Sequence, residues 1–282
     1  MMNNDQVQSR AQVEAQAQAQ SVFKLNNVTY AYPNEGTVLR DISLEINQGE
    51  KISILGANGC GKSTLLKILA GLLYPQEGEF SVFGEATNEK KFMDDKFAKN
   101  YHRRIGFIFQ HSDVQLFCSN VEEEIAFGPL QLGLPDSEVR QRMNDVINML
   151  NIEHLKSKTP FKLSGGEKKK VAIASILVMN PEILILDEPT NELDPRTQRW
   201  IVELLMNLNK AGKTLISSTH NLELVQEISN RSILFDENHK IVADCPTNTL
   251  FENIELLKSA NLVDDFYHRH GGEHSHFHIH NF

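Results

Sequence analysis

Short apolar runs punctuate the chain, and each reads as a strand: Ile52-Ser53-Ile54-Leu55, Ile105-Gly106-Phe107-Ile108-Phe109, Ile183-Leu184-Ile185-Leu186 and Leu215-Ile216-Ser217-Ser218-Thr219. The Ile183 run is unbroken, the pattern of a strand buried on both faces in a parallel sheet rather than on one face of an antiparallel one. Helical spacing follows the first run at Leu65, Leu66, Ile68 and Leu69. It returns over Val121 to Ala126 and again over Asp136 to Leu150, where Val139, Met143, Val146, Ile147 and Leu150 share one face. Val22 to Ile46 reads as a small antiparallel β part, and after Ser164 two strand-helix units return to the sheet before a short element near Leu250 to Leu262. Strands alternating with helices predict an α/β fold. Residues 1 to 20 are Gln/Ala-biased with no apolar face, which predicts a disordered or loosely helical arm. Glu89 to Lys99, rich in Lys and Asp, reads as a solvated surface excursion.

Composition narrows the class. With 282 residues, 40% of them hydrophobic and 23% charged, the chain can bury a large core of more than one lobe. A net charge of −9 excludes general nucleic-acid electrostatics. No apolar run approaches the roughly 18 residues of a membrane-spanning helix, and no signal-peptide core precedes the fold, so a cytosolic protein is expected. Cys60, Cys118 and Cys245 show no CxxC spacing and therefore neither a zinc site nor a disulfide framework. Cys60 lies beside Lys62 and a helix N-terminus, two features expected to favour its thiolate.

Two stretches carry chemistry. Gly56-Ala57-Asn58-Gly59-Cys60-Gly61-Lys62-Ser63-Thr64 matches GxxxxGK[ST] between a predicted strand and a predicted helix, the context a phosphate-binding loop requires. Glycines let backbone N–H groups turn toward the β- and γ-phosphates, and the helix N-terminus adds partial positive charge. Lys62 then reaches the phosphates and Ser63 ligates Mg²⁺. Asp187-Glu188 closes the Ile183 strand, at the carboxyl end where open α/β sheets bind ligands. Asp187 is placed to hold Mg²⁺ through water and Glu188 to polarise an attacking water.

Leu163-Ser164-Gly165-Gly166-Glu167, opening a helix, is alone compatible with an ordinary Ser N-cap. With the motifs around it, it resembles the LSGGQ motif of ATP-binding-cassette (ABC) ATPases, and the resemblance runs from about Val22 to Leu262. It implies a RecA-like core, an antiparallel β subdomain and an inserted helical subdomain at about 111–165, within an ATPase domain at 21–262 flanked by the arm at 1–20 and a flexible tail at 263–282. It also implies site roles. Gln110 matches the Q-loop glutamine that touches Mg²⁺ and senses the membrane partner, His220 the switch histidine on the γ-phosphate, and Asn191-Glu192-Leu193-Asp194 the D-loop. Tyr32 is the candidate platform for adenine, with Tyr30 its rival on the same face. ATP and Mg²⁺ would thus be held by Tyr32, Gly56, Asn58, Gly59, Gly61, Lys62, Ser63, Thr64, Gln110 and Asp187, with Ser164, Gly165 and Gly166 supplied across a head-to-tail dimer of this chain or a paralogue. Glu188, His220 and Lys62 would be catalytic. Glu167 departs from the family's Gln and Lys168-Lys169-Lys170 follows it; the D-loop has Asn191-Glu192 in place of small residues.

Gln115 to Pro129 resembles the Q-loop region of energy-coupling-factor ATPases of the cobalt/nickel importer type. Leu116, Phe117 and Phe127 are expected either to line a groove for the coupling helix of an integral-membrane subunit, contacted through Gln110 to Pro129, or to be core of the helical lobe. His268, His270, His274, His276, His278 and His280 alternate with other residues, and imidazoles so spaced can wrap Ni²⁺ or Co²⁺. The function implied is ATP-driven import of cobalt or nickel at the cytoplasmic face of the membrane. A vitamin importer, a non-transport ABC ATPase and a metal-storage protein remain as rivals.

Overall fold

Alternation in the first strands and its absence in the later ones produce two different sheets. A computed structural model describes residues 20–34 and 36–263; the arm at 1–19 and the six tail histidines lie outside them. Strands β1 (Ser21–Tyr32), β2 (Gly36–Asn47), β4 (Glu77–Val82) and β5 (Glu85–Thr87) form an antiparallel sheet in the order β2-β1-β4-β5. In β2, buried Ile42, Leu44 and Ile46 alternate with exposed Asp41, Ser43 and Glu45, so one face meets the core and the other water.

Strands β3 (Lys51–Leu55), β6 (Ile105–Ile108), β7 (Ile183–Asp187), β8 (Thr214–Ser218), β9 (Arg231–Phe235) and β10 (Ile241–Pro246) form the second sheet, ordered β10-β9-β3-β8-β7-β6. All its pairings are parallel except that of β10 with β9. Every residue of β7 and β8 is buried, as the unbroken apolar pattern requires.

Parallel neighbours need crossovers, and helices provide them. α1 (Lys62–Leu69) leaves β3, while α2 (Glu89–Phe92) and α3 (Asp95–Arg104) lead into β6. Between β6 and β7 come α4 (Val121–Gln131), α5 (Asp136–Leu150) and α6 (Gly165–Leu177). α7 (Pro195–Lys210) and α8 (Leu222–Ile228) precede β8 and β9, and α9 (Thr247–Glu252) with α10 (Ile254–Ser259) follows β10. The five apolar positions expected on one face of α5 are all buried, and Met143, Val146, Ile147 and Leu150 share a core with Ile125 of α4 and Val171, Ala172 and Ala174 of α6.

Residues 89–99 lie at the surface as expected, none of them buried, but they are largely helical, because Asn88 and Asp94 cap α2 and α3 through their side chains. Phe92, Phe97 and Tyr101 then cluster, with Phe92 and Tyr101 rings 4.7 Å apart, and the buried Tyr101 hydroxyl donates to the Leu69 carbonyl at 2.7 Å. Three aromatics among many charges give the segment an apolar face that its composition conceals. No helix among the described residues is long and apolar enough to cross a membrane.

Candidate active site

Sheet register assembles the site. Ile54 of β3 pairs with Ser218 of β8, and Ser218 with Asp187 of β7, so three neighbouring strands release their chains side by side at one sheet edge. The loop after β3 is built for close approach. Gly61 has φ +114°, and a Cβ there would stand 2.4 Å from the Val38 carbonyl oxygen; at Gly56, φ +144°, it would stand 2.9 Å from that of Phe235. Neither position tolerates a side chain. Lys62, 6% exposed, turns its ammonium into the loop and donates to the carbonyls of Gly56 at 2.8 Å and Ala57 at 3.0 Å.

Oxygen ligands and acids gather next to it. Ser63 Oγ donates to Asp187 Oδ1 at 3.0 Å, and Ser218 Oγ donates to the same oxygen at 2.6 Å. The Ser218 hydroxyl also accepts from the Glu188 amide at 3.0 Å, tying both acids to β8. Glu188 has φ +43°, a strained value for a non-glycine residue, and its buried carboxylate lies 3.0 Å from Nδ1 of the half-exposed His220. Of the two tyrosines, Tyr30 is buried in the core, whereas half-buried Tyr32 lies beside the loop, its hydroxyl 3.4 Å from Thr64 Oγ1.

Ser164, Gly165 and Gly166 stand elsewhere, at the start of α6, which packs on α4, α5 and β6. Ser164 and Glu167 form a reciprocal capping box: the Glu167 amide donates to Ser164 Oγ at 3.3 Å, and the Ser164 amide to Glu167 Oε2 at 2.8 Å. Those bonds from Ser164 hold the Glu167 carboxyl below the ordinary range, and Lys158 Nζ lies 3.5 Å away to offset the charge. Gln110, just past β6, is held by its backbone: Lys169, 2% exposed, donates from Nζ to the carbonyls of Phe109 at 3.0 Å and Gln110 at 2.8 Å. Burial pushes the Lys169 ammonium down to about 8, against the pull of Asp187.

Two residues of this arrangement escape sequence reading. Lys169 looks like part of a solvated charge run. Ser218 looks like filler, although hydroxyls inside a buried strand need partners and so were a usable signal. Cys60 reverses its expectation: it is 2% exposed, and burial pushes its thiol up by more than Lys62 and nearby N–H groups pull it down. Leu116 is core, but Phe117 and Phe127 are 61% and 41% exposed and stack edge to face at 4.9 Å. Phe127 lines a surface groove of about 470 Å³ with Ala126, Leu130, Glu122, Glu123 and Asp136.

Comparison with known proteins places this geometry. The ABC transporter family model matches residues 39–191, which include the loop, Gln110, Ser164 and both strand-end acids. The chain belongs to the ABC transporter family. A putative ABC transporter ATP-binding protein of Methanosarcina acetivorans is 49% identical, covering 89% of this chain and 92% of the relative. The nickel import ATP-binding protein LarO of Lactiplantibacillus plantarum is 44% identical, covering 79% and 92%. Among solved structures, cbiO1 of Clostridium perfringens, part of the ABC transporter complex cbiONQ, aligns with TM-score 0.73 at 34% identity over 86% of this chain and 95% of its own. The dimeric ABC transporter cassette MJ0796 aligns with TM-score 0.71 at 32% identity over 80% and 98%. This ABC ATPase therefore has the family's α/β fold and hydrolyses ATP as the nucleotide-binding subunit of a transporter.

Proposed function

We propose that the chain energises a membrane importer of nickel or cobalt ions, with ATP hydrolysed at the cluster of Lys62, Asp187, Glu188 and His220. The convergence of Asp187, Glu188 and His220 beside the Lys62 loop at one sheet edge is the observation that carries the ATPase reading. Backbone N–H groups of the glycine loop with Lys62 and Thr64 would cradle the phosphates, and Tyr32 would stack on adenine. Ser63 Oγ and Asp187 Oδ1, already 3.0 Å apart, are the hard oxygen donors that suit Mg²⁺, and the Gln110 side chain would join them. When bound, Mg²⁺ offsets charge on the phosphate oxygens. Glu188 orients water for in-line attack and His220 fixes the carboxylate and the γ-phosphate.

Ser164 caps α6 beside α4 and α5, whereas Lys62 sits where β3, β8 and β7 end, and in this reading Ser164 reaches the nucleotide of a second copy or a paralogue. The dimeric MJ0796 cassette supports assembly as a dimer, and we propose that the two copies meet head to tail. The exposed Phe117–Phe127 pair, with its acidic groove, suits a coupling helix of a membrane subunit, which holds the ATPase peripherally at the cytoplasmic face. Nickel is favoured by the relative named for its import and by the alternating histidines from His268 to His280.

The test is ATP-driven metal uptake by vesicles holding the ATPase with its membrane subunits. Ni²⁺ or Co²⁺ accumulation is expected, and accumulation of a vitamin but neither ion refutes the solute. Glu188→Gln should bind ATP, form an ATP-dependent dimer on sizing and hydrolyse about 100-fold more slowly or worse. Near-normal turnover in that variant refutes the catalytic assignment.

A further inference from the structure

We infer that Lys169 is a positioning residue for hydrolysis, fixing the backbone at Gln110 to α6 so that Gln110 and the Ser164 end of that helix move as one body. β6 is the edge strand of its sheet, so the chain leaving it at Phe109 has no further strand to hold it. Lys169 takes that place: its buried ammonium lies between the end of β6 and α6 and donates to the carbonyls of Phe109 and Gln110 at 3.0 and 2.8 Å.

Neighbouring bonds tighten the same joint. Lys168 Nζ lies 2.6 Å from Asp113 Oδ1. Gln115 Nε2 donates to the Ala172 carbonyl at 2.7 Å and to Ser175 Oγ at 3.2 Å, and Gln115 Oε1 accepts from the Phe109 amide at 3.4 Å. Positions 168, 169, 172 and 175 share one side of the helix, so a single face of α6 grips the segment from Phe109 to Gln115 at several points. Ser164, the cap of α6, lies little more than one turn from Lys169.

Burying an ammonium costs desolvation that a methionine of similar length avoids, a saving set against the loss of this donor to the carbonyls of Phe109 and Gln110. Stability alone does not call for a lysine here; the placement of Gln110 does. The inference rests on the reading of Gln110 in the proposed function.

Steady-state ATPase measurements on the full chain test it, with wild type, Lys169→Met, Lys169→Arg, Gln110→Ala and the Lys169→Met/Gln110→Ala double variant. Lys169→Met should lower kcat about tenfold or more, change KM for ATP less than about threefold and lower the thermal midpoint by no more than a few degrees. Lys169→Arg, which keeps donors for both carbonyls, should stay within about threefold of wild type. The double variant should lose little more than the worse single variant, because both act on one step.

A folded Lys169→Met that keeps kcat within about twofold, losses that multiply in the double variant, or KM and thermal stability failing together with kcat would each overturn the role. So would a folded Lys169→Arg as impaired as Lys169→Met. Should Lys169→Met not fold, Lys169→Gln takes its place in the same cycle. Impaired Gln110→Ala beside unimpaired Lys169→Met refutes the Lys169 role alone; unimpaired Gln110→Ala refutes the Gln110 reading and this inference with it.

Discussion

Cys60 sits two residues before Lys62 in the phosphate loop, where a nearby ammonium favours the thiolate, yet its Sγ is enclosed in the core that includes Phe235. Burial disfavours the charged form and outweighs that attraction. Burial first and then the neighbouring Glu124 push Cys118 up to about 11, and burial also raises Cys245. All three thiols therefore stay protonated at neutral pH. Folded protein is expected to react slowly with maleimide at pH 7, with Cys60 the slowest because it is enclosed as well, and unfolding should accelerate all three. Peptide mapping of the labelled protein checks this; preferential labelling of Cys60 in the folded state would contradict it. A sequence reader sees the neighbouring charge but not the packing, and at Cys60 the packing decides.

The turn from β3 into α1 shows the same dependence one scale up. Gly61 precedes α1 at φ +114°, with the Val38 carbonyl and Leu39 where a Cβ would go. Both neighbours belong to β2, so the antiparallel sheet sets how tightly the loop curls. Gly61→Ala should destabilise the fold by about 2 kcal/mol or more and abolish most ATP binding. Gly212→Ala is the control: its φ is +89° but nothing lies within 4 Å of the added Cβ, so it should cost about 1 kcal/mol and leave ATP affinity unchanged. Denaturant unfolding and nucleotide titration measure both. Equal effects of the two substitutions on ATP affinity would show that backbone strain, not the contact with β2, governs the loop. α6 joins local and long-range order in the same way. Its Ser164–Glu167 capping box was readable as Ser-x-x-Glu, while the grip of its Lys169 on Gln110 joins residues 59 positions apart.

Across the whole molecule, the described residues build three cores, all retained in a chain ending at Tyr267: one backs the antiparallel sheet and α1, one fills the helices α4 to α6, and a third lies under α8 to α10. Truncation after Tyr267 is accordingly expected to leave the thermal midpoint and the basal ATPase rate nearly unchanged. The same truncation should remove most Ni²⁺ binding measured by calorimetry at pH 7. Binding by the full chain should weaken toward pH 5, since protonated imidazole cannot ligate. A large loss of basal activity on truncation, or equal metal binding by both forms, would remove the tail from the metal-collecting role.

What the sequence determined by itself is what local physics controls. Strand type followed from alternating or unbroken apolar runs, the buried face of α5 from its 3.6-residue spacing, and the phosphate loop from glycine positions that only one backbone path satisfies. Asp187 and Glu188 were legible because a strand's carboxyl end in a parallel sheet is a known place for ligands. Tertiary structure decided whatever depends on partners far along the chain. It chose Tyr32 over Tyr30 for the rim of the loop, sent Leu116 inward while leaving Phe117 and Phe127 exposed, ordered residues 89–99 around an aromatic cluster, and placed Ser218 between the two acids. Each of these outcomes turns on register or burial, and both are sums over contacts between distant segments that no window of sequence contains.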